Sequence, residues 1–167
     1  IDCFAHAGVD MVSATTMTNT SEAIGITQAA VDVELPVVVS FTVETDGCLP
    51  TGEPLGEAID RVDAATGNAP IYYMVNCAHP DHFLDAIKTG EDWVGRVGGI
   101  RANASRLSHA ELDLAEHLDD GDPEEFGTLY SKLSDLLPNL RVVGGCCGTD
   151  HRHVGCVSNH LFTKVAA

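Results

Sequence analysis

Short apolar runs alternate with longer amphipathic stretches along the whole chain, the rhythm of strands and helices in succession. Residues 9–13 form a first short apolar strand. Thr18, Asn19, Thr20, Ser21 and Glu22 then offer capping side chains for an Ala- and Ile-rich helix that ends near Val33 and is closed by Pro36. Residues 37–43 are β-branched and almost continuously apolar, the pattern of a parallel strand buried on both faces. A glycine- and proline-bearing loop over 45–54 leads to a helix predicted over 55–65. A third buried strand over 71–75 runs into Asn76 and Cys77, with a helix over 80–88 behind it. Residues 97–100, leading into 101–105, read as a weaker fourth strand, and the acid-rich stretch 107–121 as a solvated, partly helical excursion. At 122–125, Asp122 can cap, Pro123 is preset for a first turn and two glutamates face the helix dipole, so a helix begins there and runs to about Leu137. Residues 140–143 form the fifth strand, and the tail from Asp150 holds one last helix at most.

Five strands alternating with helices, each connection long enough for a right-handed crossover, predict an α/β fold with a parallel sheet. An open doubly wound sheet and part of a barrel both fit that pattern. With 167 residues, 44 % of them hydrophobic, the chain has material for a single domain over 1–167. No run approaches the ~20 apolar residues that a bilayer span requires, and no secretory leader is visible, so a cytoplasmic location is expected. Twenty-five acidic residues against nine basic ones give a formal charge of -16, which repels phosphate backbones and anionic lipid heads. Nucleic acid and membrane are thereby excluded as partners, small molecules are favoured, and homo-oligomer formation is left open. The acidity fits a salty habitat and an ordinary solvated surface equally well.

Candidate chemistry lies in the cysteines. Cys146 and Cys147 are adjacent and boxed by Gly144, Gly145 and Gly148, directly behind the fifth strand. Neighbouring residues of a continuing strand point to opposite faces, so both sulfurs reach one point only if the chain bends there, and the glycines allow that bend. A vicinal disulfide would be strained. Cys77 also falls at a strand's carboxyl end, where parallel α/β folds gather their functional residues. Three thiolates suit Zn²⁺ and leave a coordination position open, but buried structural thiols explain the same three positions. Cys3, Cys48 and Cys156 carry no local signature, and six cysteines are too sparse for a disulfide scaffold.

Asn76-Cys77, together with Gly144-Gly145-Cys146-Cys147-Gly148-Thr149 and the following acid, resembles the two zinc-binding motifs of the homocysteine S-methyltransferase family. Ala7-Gly8-Val9-Asp10, Asn19 to Ala23, Phe41-Thr42 and Thr51-Gly52-Glu53-Pro54-Leu55 extend the resemblance over nearly the whole chain. It implies a (β/α)8 TIM barrel, of which these five strands would be the fourth to the eighth, the amino-terminal strands lying upstream of Ile1. It also implies Zn²⁺ held by Cys77, Cys146 and Cys147, with no catalytic group beyond these ligands. Homocysteine would enter the open position as thiolate and take a methyl group from a sulfonium or ammonium donor, giving methionine. S-methylmethionine or S-adenosylmethionine are favoured as donors, with betaine next.

One departure bears on the substrate. Where the family commonly carries Glu-Thr after the first of these strands, this chain has Thr15-Thr16, and a neutral threonine gives up the charge pairing with an amino-acid ammonium group. A different thiol acceptor, or a non-catalytic zinc- or thiol-binding module, is therefore the alternative reading. Thr15, Thr16, Asn76 and Asn103 are the candidate substrate contacts. His151 and His153 read as exposed helix-start residues, His79 and His82 as competitors for a metal already satisfied by three cysteines, and Trp93 as packing.

Overall fold

The computed structural model describes residues 1–162. Helix α1 (Asp2–Ala7) precedes β1 (Val12–Met17), α2 (Thr20–Asp32), β2 (Val37–Phe41), α3 (Leu55–Thr66), β3 (Tyr73–Asn76) and α4 (Pro80–Ile87). A 3-10 turn (Asp92–Arg96) then leads to β4 (Val97–Ala102), α5 (His109–Leu114), α6 (Pro123–Leu136), β5 (Val142–Gly145) and α7 (His151–Phe162). The first, third and fifth strands lie later than the apolar runs suggest, and Ile71, expected in a buried strand, is exposed ahead of β3. Residues 9–11 belong to the turn before β1, and β5 starts two residues beyond Leu140, whose own N–H closes a turn onto Leu137. Residues 97–102 pair on both sides and make a full strand rather than a weak one.

All strand pairs are parallel and the spatial order is β1-β2-β3-β4-β5. That order separates the two architectures left open by the sequence. A doubly wound sheet reverses direction at a switch point, whereas here every crossover adds a strand on the same side. Right-handed connections then place the helices on one face of the sheet, as in a segment of a TIM-type barrel.

Packing follows from this. Val37, Val39 and Phe41 of β2, Tyr73 and Val75 of β3, and Val97, Ile100 and Ala102 of β4 alternate onto the helix-covered face. There they meet Ala23, Ile59, Val62, Phe83, Tyr130 and Leu133 from the helices. The other face carries Ser40, Asn76 and Arg101, polar groups that an apolar interlayer would exclude. β2 and β3 are buried throughout, while β1 and β5, each paired on one side, are partly exposed. No helix among the described residues is long and apolar enough to cross a membrane.

Candidate metal centre

The carboxyl ends of β3 and β5 bring Cys77, Cys146 and Cys147 together. The sulfurs of Cys77 and Cys146 make disulfide contact with Cα atoms 5.5 Å apart, and all three sulfurs lie within 4.8 Å of one another. The Cα separation suits a disulfide. A disulfide needs two sulfurs, however, and with a third converging on the same point the three make a group that could hold a metal ion. No other group of three or more His, Cys, Asp or Glu among the described residues is close enough to hold a metal ion.

Cys77 sits in the left-handed backbone region at φ 54°, which costs a non-glycine residue roughly 1–2 kcal/mol and persists only where surroundings enforce it. The enforcement is visible. Its N–H donates to the Arg101 carbonyl at 3.1 Å, and its own carbonyl accepts from Asn103 Nδ2 at 3.0 Å and lies 2.7 Å from His109 Nε2. The Thr42 hydroxyl, 3.4 Å from the same oxygen, is a weaker third donor. One residue before Cys77, Asn76 ties three strands: its Oδ1 accepts from Ser40 Oγ at 2.5 Å and from the Thr16 N–H at 2.9 Å, while Nδ2 donates to Thr16 Oγ1 at 2.7 Å.

The double-cysteine turn is built from the other side. Cys146 N–H continues the ladder to the Ala102 carbonyl at 2.8 Å, then the Thr149 hydroxyl donates to the Cys146 carbonyl at 2.7 Å and bends the chain. Of the three glycines, Gly148 is required by its φ of 78° and because a Cβ there would press on the Asp119 carbonyl at 2.6 Å. Gly145 is required by the close approach of the Thr149 side chain, while Gly144 has ordinary space around it. Below the turn, the Tyr130 hydroxyl accepts from Ala102 N–H at 3.0 Å and donates to the Gly144 carbonyl at 2.6 Å, pinning β5 to β4.

Asn103 joins the two cysteine loops. Its Oδ1 accepts from Cys147 N–H at 3.1 Å while its Nδ2 donates to Cys77, so one buried amide sets the spacing of both. The stretch 107–121 is exposed over much of its length, as expected, but it does not drift into solvent. It forms a strap beside the cysteines, lining a half-open cavity of about 440 Å³ with Cys77, Cys147, His109, Leu112, Asp113, Glu116 and Asp119 among its walls. Ser105 donates to Asp119 at 2.5 Å, which holds that carboxyl below the usual range, and buried His153 contacts the Asp120 carbonyl at 2.8 Å. Burial draws the His109 pKa down, but the Cys77 carbonyl and the Glu44 carboxylate, 3.1 Å away, outweigh it and leave it raised.

A scan against protein-family models matches the homocysteine S-methyltransferase model over residues 1–161. The chain belongs to this family. A search of the curated proteins finds no match. For a homocysteine S-methyltransferase family member, methyl transfer between small molecules is the activity class, and a cysteine cluster at the strand ends that could hold a metal agrees with it.

The positions singled out from the sequence fall as follows. Cys77, Cys146 and Cys147 are brought together; Asn103 lies against them and Asn76 precedes one of them. Thr16, at φ 60°, is joined to Asn76, while Thr15 is exposed on β1. His153 is not an exposed helix-start residue: it is fully buried, its Nδ1 accepting from the Asp150 N–H at 3.1 Å. His79 caps α4 through the Asp81 N–H, and burial lowers its pKa to about 4. Glu44, Thr42, Tyr130 and His109 had no reading as site residues. For His109 a signal existed in Ser108-His109-Ala110-Glu111, an S-x-x-E capping box, which the structure forms.

Proposed function

We propose that this chain supplies strands 4 to 8 of a (β/α)8 barrel that methylates the thiolate of homocysteine at a zinc ion held by Cys77, Cys146 and Cys147, yielding methionine. The observation that carries the reading is the convergence of three sulfurs from two strand ends in a chain of this family. The sequential strand order and the one-sided pairing of β1 and β5 support a place within a larger closed barrel. Three thiolates without a fourth protein ligand among the described residues fit a catalytic zinc, and the metal would supply the Lewis acidity that makes an entering thiol an anion at neutral pH.

The chain's own residues do the positioning. Asn103 holds Cys77 and Cys147 at one spacing, and Asn76 fixes Thr16 at the rim of β1. Thr15, Thr16, Asn76 and Asn103 are the proposed contacts to the amino-acid part of the acceptor. A sulfur lone pair of the acceptor forms the new S–CH3 bond as the donor's S⁺–CH3 or N⁺–CH3 bond breaks, and that electron pair leaves with the neutral thioether or amine. The thiol proton passes to solvent. Walls bearing Asp113, Glu116 and Asp119 suit a cationic donor, with S-methylmethionine or S-adenosylmethionine ahead of betaine. A reducing cytoplasm would keep the three sulfurs available as ligands.

Thr15, neutral and exposed where the family resemblance implies a glutamate, favours one second reading, a different thiol acceptor. The test is methyl transfer by the zinc-loaded full-length protein to homocysteine from each of the three donors. Methionine formed from at least one donor is expected. Zinc retained with no methionine from any of them overturns homocysteine as acceptor, and a wider thiol panel then decides between another acceptor and a non-catalytic module.

A further inference from the structure

The Cys77 carbonyl is the meeting point of three loops. Asn103 reaches it from behind β4, Thr42 from the end of β2, and His109 from the first turn of α5. His109 has the shortest contact of the three, 2.7 Å, and its other ring nitrogen lies 3.1 Å from Glu44 Oε1. A carbonyl and an ionised carboxylate both accept hydrogen bonds and donate none. The two partners therefore fix the ring's orientation, with Nε2–H directed at Cys77 and Glu44 holding the far edge.

Resting on the zinc reading above, we propose that His109 is a positioning residue for the metal centre, and that Glu44 orients it. The mechanism is mechanical. Cys77 occupies a left-handed conformation that its side chain disfavours, and its sulfur direction follows from the peptide plane that His109 fixes. Partners beyond the ligands tune metal sites by orienting the ligands, and losing one costs typically about 10–100-fold in metal affinity. His109 also lines the cavity beside Cys77 and Cys147, so the same contact fastens the strap beside the centre.

The test uses the reduced full-length protein, with zinc affinity measured by competition against a chromophoric chelator and ligand geometry by the thiolate-to-metal absorption of the cobalt(II)-substituted form. In His109→Ala, affinity falls by about 10-fold or more and the cobalt spectrum shifts, with a folded circular-dichroism signature. Glu44→Gln gives a smaller loss in the same direction, and His109→Gln, which keeps an N–H donor near the Cys77 carbonyl, recovers part of it. Unchanged affinity and spectrum in folded His109→Ala overturn the assignment, and if that variant does not fold, unchanged values in Glu44→Gln do so. Wild-type protein that binds no zinc overturns the metal reading itself, a result distinct from wild type and variants binding equally.

Discussion

Cys77 follows a strand with neighbours on both sides, whereas Cys146 and Cys147 follow the strand at the edge of the sheet. Around Cys77, residues 73–76 and 78–80 are buried and three side chains converge on one carbonyl. The double-cysteine turn is exposed at Cys147 and is shaped by local devices: a positive-φ glycine, the Thr149 hydroxyl bond and the Tyr130 clamp beneath it. The difference divides the work. One side is a rigid platform whose residue is held in a strained conformation, and the other is a turn brought to it by Asn103, so the centre depends on the bridge as much as on the sulfurs.

Changes at that boundary rank by how much of the comparison they destroy. Cys77→Ser removes the platform's sulfur, and zinc affinity measured by chelator competition falls by more than the roughly 100-fold that a lost outer partner costs. Asn103→Ala comes next. It breaks both bonds of the bridge and leaves buried groups unpaired, so chemical denaturation shows a loss of about 3 kcal/mol together with weaker zinc binding. Gly148→Ala strains the turn alone, costing about 2 kcal/mol by the same measurement, because its φ of 78° and the nearby Asp119 carbonyl leave no room for a methyl group. Tyr130→Phe loosens β5 from β4 while leaving the ring packed, and about 1 kcal/mol is expected. A larger effect from Tyr130→Phe than from Asn103→Ala would mean that the edge strand, not the bridge, sets the geometry.

Strands β2 and β3 were legible as nearly continuous apolar runs, and helices α2, α3, α4 and α6 because each has a capping residue or proline at its start. The edge strands were misplaced by two to four residues, since a half-exposed strand lacks a continuous apolar run: β1 carries Ser13, Thr15 and Thr16 within it, and β5 ends in two glycines. The three cysteines could be named from motif resemblance, but how they are held could not. Asn103, Tyr130 and His109 act through contacts 14 to 65 residues away in sequence, and no local pattern encodes such pairings. The acidity of 107–121 concealed its role as a strap, because its charges face solvent and the cavity while single side chains, His109 and Asp119, fasten it.

Metal content decides whether the three sulfurs hold zinc. The full-length protein and its Cys147→Ala variant, both purified under reducing conditions so that no disulfide competes, are compared by elemental analysis. One equivalent of zinc per chain in the wild type and none in the folded variant is the predicted result. Zinc absent from the wild type, or equally present in the variant, would contradict it.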